Sequence, residues 1–295
     1  MKIAVLSDIH GNVPALEAVL DDIERWQADQ VVVNGDLINR GPCSAEVSRM
    51  IREKLPEARC ILGNHESFTM FCAQNPVSAE HEKYELRRLP QWTASQLGEE
   101  LKQFENWLDH IDETSLAGGA SLHITHGSRL GNRDAISPNT QDDDLPAKLG
   151  EPRDLFVASH THRPMIKPFK GSLVVNIGSV GQPLDGDERA AYGRFILDGG
   201  RWQAEIRRVA YDKEQAIRDF YESGFLHHAG SLGLLIYSEH RLNQMHMGPM
   251  MKHYLPAIDA GDITVPEAVA HYLKANGLDQ QLEQWGLDYR ELVPA

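Results

Sequence analysis

A layered α/β fold is what the first third of this chain predicts. Short apolar runs at 2–7, 31–33 and 60–62 have strand length, and helical patterns fall between them. Each run stops at a short motif of Asp, Asn and His, where open α/β sheets place their functional groups.

The elements follow in order. Residues 2–7 read as a strand covered on both faces, because the run is continuous rather than alternating. Asn12 suits a helix cap, and Pro14 falls in the first turn, where its missing N–H breaks no helical bond. Leu16, Val19, Leu20 and Ile23 supply the apolar stripe of that helix. Val31–Val33 is a second buried strand, 45–54 a second helix and Cys60–Leu62 a third strand. Residues 66–118 break the rhythm; with Phe68, Phe71, Trp92, Phe104 and Trp107 among charged residues they read as a mostly helical insertion. Strands resume at about 121–125, 154–158, 172–177, 192–197 and 203–209, and 131–146 is a polar loop. From about 211 the pattern is helical to residue 295, punctuated by glycines. The expected organisation is an α/β region up to about 210 and a helical extension over 211–295.

Composition limits the function. With 295 residues, 41% hydrophobic and 24% charged, the chain has enough apolar surface for a globular core. No segment approaches the roughly 18 apolar residues of a membrane span, and the N-terminal run is too short for a signal peptide, so a cytoplasmic location is the default. Three irregularly spaced cysteines, Cys43, Cys60 and Cys72, fit a reducing compartment and argue against thiolate zinc sites. A net charge of −14 opposes stable nucleic-acid binding but allows a small phosphorylated substrate at a local cluster of cations.

The strand-end motifs are Asp8-Ile9-His10, Gly35-Asp36, Gly63-Asn64-His65-Glu66, His126-Gly127 and His160-Thr161-His162. Residues two apart in extended backbone point the same way, so Asp8 with His10, and His160 with His162, are expected to share a face. Imidazole, carboxylate and amide without sulfur select borderline divalent ions such as manganese, iron, zinc or cobalt.

The ordered motifs resemble the calcineurin-like metallophosphoesterase superfamily, with its pattern D-x-H, G-D, G-N-H-[DE], H and G-H-x-H, over roughly residues 1–210. The small bacterial phosphodiesterase-like members are the nearest in pattern, and the run Asn176–Pro183 is similar to theirs. The resemblance implies an αββα sandwich of two mixed sheets flanked by helices. It implies two divalent ions, manganese first, with iron, zinc, cobalt or nickel as substitutes. One ion would take Asp8, His10, Asp36 and His162; the other would take Asp36, Asn64, His126 and His160, with Asp36 shared. It also implies phosphoester hydrolysis by a hydroxide held between the ions, with His65 as general acid. Ser159 stands where the family usually has glycine. Gly35-Asp36-Leu37-Ile38-Asn39-Arg40-Gly41 further resembles the GDxxDRG stretch of protein phosphatases and bis-nucleoside tetraphosphatases, with Asn39 in place of aspartate. That likeness makes Arg40 a phosphate clamp. Asn12 has two readings, a helix cap or a contact to a phosphate oxygen.

The expected activity is hydrolysis of phosphodiesters or small nucleotide phosphoesters. The alternatives are a bis-nucleoside tetraphosphatase or protein phosphatase, and a non-catalytic metal-binding scaffold. The expected partner is a small phosphoester, with no membrane and with a homo-oligomer contact assigned to the helical extension. Specificity is expected in 66–118 and 131–146.

Overall fold

A computed structural model describes residues 1–293. Its strands are β1 (Lys2–Leu6), β2 (Gln30–Asn34), β3 (Arg59–Ile61), β4 (His110–Glu113), β5 (Leu122–Thr125), β6 (Leu155–Ala158), β7 (Met165–Phe169), β8 (Ser172–Asn176), β9 (Ala190–Asp198) and β10 (Arg201–Val209). Its helices are α1 (Val13–Trp26), α2 (Ser44–Lys54), α3 (Asn64–Gln74), α4 (Tyr84–Leu97), α5 (Leu145–Leu149), α6 (Lys213–Glu222), α7 (Phe225–Ala229), α8 (Ser231–Leu242), α9 (Met247–Asp259), α10 (Val265–Ala275) and α11 (Leu278–Gln284). Among the described residues no helix is long and apolar enough to cross a membrane.

Two mixed five-stranded sheets form the frame, in the orders β10-β9-β1-β2-β3 and β4-β5-β6-β8-β7. β1, β2 and β3 run parallel, as do β5, β6 and β8, so their carboxyl ends gather along one edge of each sheet. The alternation along β1 explains its unbroken apolar run. Ile3 and Val5 meet Ile111, Ile124 and Val157 between the sheets, while Ala4 and Leu6 pack with Leu16 and Val19 of α1 on the outer face. Burying one such Val, Leu or Ile side chain is worth about 1.5–3 kcal/mol, so a strand buried on both faces anchors the whole fold. The outer face of the second sheet is covered by Ile136, Leu145 and Leu149.

Two parts depart from the sequence expectation. The segment 66–118 is not wholly helical: it contains β4, and α3 already begins at Asn64. β4 and β7 are sheet edges, paired on one side only, so neither carries a diagnostic apolar run. The insertion and the C-terminal helices also share one core. Leu89 of α4 is buried with Phe220, Phe225 and Tyr237, and Trp92 packs edge-on against Phe225 at 5.8 Å.

Candidate metal centre

The site lies where the parallel strands of both sheets end. A buried polar seam ties the two edges beneath it. Asn34 Nδ2 donates to the Thr125 carbonyl at 2.8 Å and to Ser159 Oγ at 2.9 Å; Ser7 Oγ donates to Ser159 Oγ at 2.9 Å. Ser159 is therefore a working part of this seam, and its backbone is not left-handed, so glycine is not required there.

Immediately beyond the strands the chain turns left-handed. Asp8, His10, Asp36, Asn39, Arg40, His160 and His162 all have positive φ, between 49° and 67°. Such angles are uncommon outside glycine, and their concentration here marks a site whose geometry the surrounding fold enforces. This corrects the expectation of extended backbone. Asp8 and His10 do converge, but through left-handed turns, and His160 and His162 separate into different clusters. Gly35 is needed for close approach: a Cβ there would lie 2.7 Å from Gly63 and from His126 Nδ1.

Three overlapping groups bring metal-ligating atoms within 4.8 Å of one another: Asp8–His10–His162, His10–Asp36–His65 and Asp36–His126–His160. Asp36 Oδ2 lies 3.2 Å from His126 Nε2 and 3.9 Å from His10 Nε2, so one carboxylate faces both ends of the site. Asn64 Oδ1 lies 3.1 Å from His126 Nε2. The seven residues expected as ligands thus lie together around one site, and His65 joins the group of His10 and Asp36. Among the described residues, His227, His228, His240, His246 and His253 form no further group of this kind.

Hydrogen bonds aim these rings. His162 Nδ1 meets the Gln182 carbonyl at 2.6 Å, His126 Nδ1 the Asn34 carbonyl at 2.7 Å, and His10 Nδ1 the Asn39 carbonyl at 3.2 Å. A carbonyl only accepts, so Nδ1 carries the proton in each ring and Nε2 points inward. Nε2 of His10 and Nε2 of His162 then sit 3.2 Å apart with lone pairs opposed, and Asp8 Oδ1 and His160 Nδ1 are buried without hydrogen-bond partners. Facing lone pairs and an orphaned carboxylate oxygen are what a cation would relieve, so the residues fit divalent metal ions.

The buried groups also shift one another electrostatically. Burial would raise the Asp36 carboxyl, but the neighbouring His126 and His65 hold it well below the ordinary carboxylate range. Burial would lower His126, yet Asp36 overrides this and holds it up at about 10. Burial, reinforced by His162, drives His10 well below its usual value. His65 is pushed down to about 3, chiefly by burial, and is neutral near pH 7.

The family model for calcineurin-like phosphoesterases matches residues 1–210. The chain belongs to this family. Among its relatives, the uncharacterized protein MJ0912 of Methanocaldococcus jannaschii is 28% identical over 232 residues, covering 72% of this chain and 89% of that protein. The phosphodiesterase YfcE of Escherichia coli is 25% identical over 209 residues, covering 67% and 89%. The solved metallophosphoesterase of Sphaerobacter thermophilus superposes with a TM-score of 0.63 at 26% identity, covering 76% of this chain and 94% of that one. Phosphoesterases are hydrolases, and the two-sheet arrangement of this calcineurin-like phosphoesterase is that of its solved relative.

Two supporting residues, Glu66 and Asn39, had no role assigned from the sequence, and Arg40 has a partner the sequence did not show. Glu66 is fully buried beneath Asp36 and accepts four backbone N–H groups: Leu37 at 2.7 Å and Ile38 at 3.1 Å on Oε1, Asp36 at 2.9 Å and Gly63 at 3.1 Å on Oε2. Its signal was present, since a Glu three residues past a helix start reads as half of a capping box. Asn39 Nδ2 lies 3.0 Å from His65 Nδ1, while its Oδ1 accepts from Arg40 N at 2.9 Å. Arg40 faces the cleft, with Nε on Gln182 Oε1 at 2.8 Å and Nη2 paired to the buried Glu239 of α8. Nothing in the sequence joins residues 40 and 239.

Asn12 needs correction as a substrate contact. Its Oδ1 caps α1 through Ala15 N at 3.1 Å, and its Nδ2 donates to the Gly181 carbonyl at 2.8 Å, so both ends serve the fold. Asn12→Ala is expected to cost about 2 kcal/mol and lower Tm by roughly 5 °C, with KM for a phosphoester unchanged. A raised KM at unchanged stability would return Asn12 to the substrate. The expectation for specificity also changes: the cleft takes Ala135 from 131–146 but no residue of 66–118, while Glu239 of α8, Met245 of the following turn and Met247 and Gly248 of α9 line it.

Proposed function

We propose that this chain hydrolyses phosphodiesters or small nucleotide phosphoesters with two divalent ions bound, manganese first among them. The observation that carries this reading is one buried carboxylate, Asp36, shared between two ligand clusters at the floor of an open cleft. Bound there, two divalent cations would supply positive charge for phosphoryl oxygens and lower the pKa of a water.

The chain's own residues do the rest. Asp8 and Asp36, both buried, are the carboxylates that would hold the cations. His65 stands over the same cluster, its backbone N–H donating to Asp36 Oδ1 at 2.8 Å. Because Asn39 presents its amide N–H to Nδ1, the neutral His65 ring carries its proton on Nε2. That N–H is the hydrogen bond His65 gives the leaving oxygen as charge builds there, with the proton staying on Nε2. Arg40 keeps Nη1 for a phosphate oxygen while Gln182 and Glu239 hold its other nitrogens.

Protein reconstituted with manganese is expected to hydrolyse bis(p-nitrophenyl) phosphate; a metal-loaded protein inert to both monoesters and diesters would overturn the reading. His65→Ala should cut kcat by about 10²-fold or more for an alkyl leaving group and by much less for p-nitrophenolate, which needs no such hydrogen bond. Metal content should stay at the wild-type level. Its loss would make His65 a ligand, a role its cluster with His10 and Asp36 also permits.

A further inference from the structure

The cleft over the metal centre has a cavity of about 310 Å³, small for a ligand pocket. Its floor is polar, formed by Asp36, His65, His160 and His162. The wall facing the family's catalytic region comes from the C-terminal helices and is apolar: Met245 and Met247, joined by Leu184 from the catalytic region. This wall is built rather than incidental. Glu239, fully buried, accepts from the backbone N–H of both His246 and Met247 at 2.8 Å through Oε1. Its Oε2 accepts from Gln182 Nε2 at 3.0 Å and pairs with Arg40. Asn243, in left-handed backbone, takes the Gly186 N–H at 3.1 Å on its carbonyl. Gly248 leaves room for Met245 to lie over the first turn of α9: a Cβ at Gly248 would meet Met245 Sδ at 2.9 Å.

The charge on this side cancels. Arg40 is the cationic side chain lining the cleft, and the buried Glu239 carboxylate beside it offsets its charge. Arg40 has one nitrogen, Nη1, left for the reacting phosphate, so a chain of further phosphates would meet thioethers instead. A flat uncharged ring would meet two soft, polarisable sulfur side chains that pack well against aromatic faces.

Resting on the phosphoester reading above, we infer that Met245 and Met247 form a subsite for an uncharged aromatic substituent on the phosphoryl group, of the size of a single ring system. The substrate class is then an aryl or nucleoside ester with one reacting phosphate, rather than a polyphosphate.

The test is binding, not turnover. Full-length zinc-loaded protein labelled at its eight methionine methyl groups is titrated with phenylphosphonate and with methylphosphonate, with resonances assigned from Met245→Leu and Met247→Leu. Phenylphosphonate is expected to move the Met245 and Met247 methyl signals upfield and, by calorimetry, to bind about tenfold more tightly than methylphosphonate. Met245→Ala/Met247→Ala should erase that preference and leave methylphosphonate affinity unchanged. Equal affinities for the two phosphonates, or phenylphosphonate bound with both methyl signals unmoved, would overturn the subsite and leave the phosphoester reading standing. Failure of the metal-loaded protein to bind either phosphonate would overturn the phosphoester reading itself, and the subsite with it.

Discussion

Asp36→Asn is expected to lower phosphodiester hydrolysis by on the order of 10³-fold or more while the protein stays folded. The two oxygens of Asp36 have different duties. Oδ1 accepts from His65 N at 2.8 Å, and Oδ2 faces His126 at 3.2 Å and His10 at 3.9 Å. Asparagine offers one acceptor. With that oxygen kept on His65 N, an NH2 group is turned toward both ligand clusters, where it donates instead of ligating. Turned the other way, the NH2 meets the His65 N–H. Either orientation also removes a negative charge that His126, foremost, keeps ionised despite burial. Metal analysis of the purified variant should show less bound ion than wild type, and thermal melting without added metal should show an intact fold. A variant with full metal content and more than about a tenth of wild-type activity would refute the shared-carboxylate arrangement.

Glu66→Gln is expected to destabilise the protein by about 2–5 kcal/mol and to lower Tm by roughly 10 °C. Burial and the Asp36 charge push this carboxyl up to about 7, against the pull of backbone N–H groups that a bare carboxylate accepts. Both oxygens are occupied, each by two backbone donors. Glutamine satisfies one pair and sets an NH2 against the other, so two buried N–H groups lose their acceptor whichever way the amide turns. The affected groups belong to Asp36, Leu37, Ile38 and Gly63, the turns that carry Asp36 and Asn64. Metal affinity should therefore fall together with stability, although Glu66 touches no expected ion. Differential scanning calorimetry and metal titration check both effects; wild-type Tm with normal metal binding would show that these turns hold without the carboxylate.

Much of the frame was legible because the central strands are buried on both faces. β1, β2, β5, β6 and β8 read as apolar runs for that reason, and each ligand motif could be placed at a strand end. Where burial is one-sided the signal fails. β4, with the sequence His110-Ile111-Asp112-Glu113, and β7, which contains Pro168, carry mostly exposed or half-buried side chains and pass for loop. The ligands were legible by residue type and order, but the stereochemical reason first attached to them was not the operative one. Positive φ at Asp8, His10, His160 and His162, rather than strand alternation, turns the side chains inward. Non-glycine residues adopt such angles under tertiary constraint, which a local pattern does not record.

The extension after 211 shows the same limit more strongly. Its helices were legible, and its place was not. Glu239 reaches Arg40 across 199 residues of sequence, and Met245 and Met247 face the cleft because Glu239 holds their turn.

By itself the sequence determined the donor chemistry, the layered α/β class and the order in which ligands arrive, since these depend on residue type and on periods of two or three to four residues. The tertiary structure alone decided that left-handed turns aim these side chains inward, that Glu66 braces the Asp36 turn and Asn39 the His65 ring, and that the C-terminal helices close one side of the cleft. Those outcomes depend on how two sheets and a helical layer pack, and packing joins residues that no local period relates.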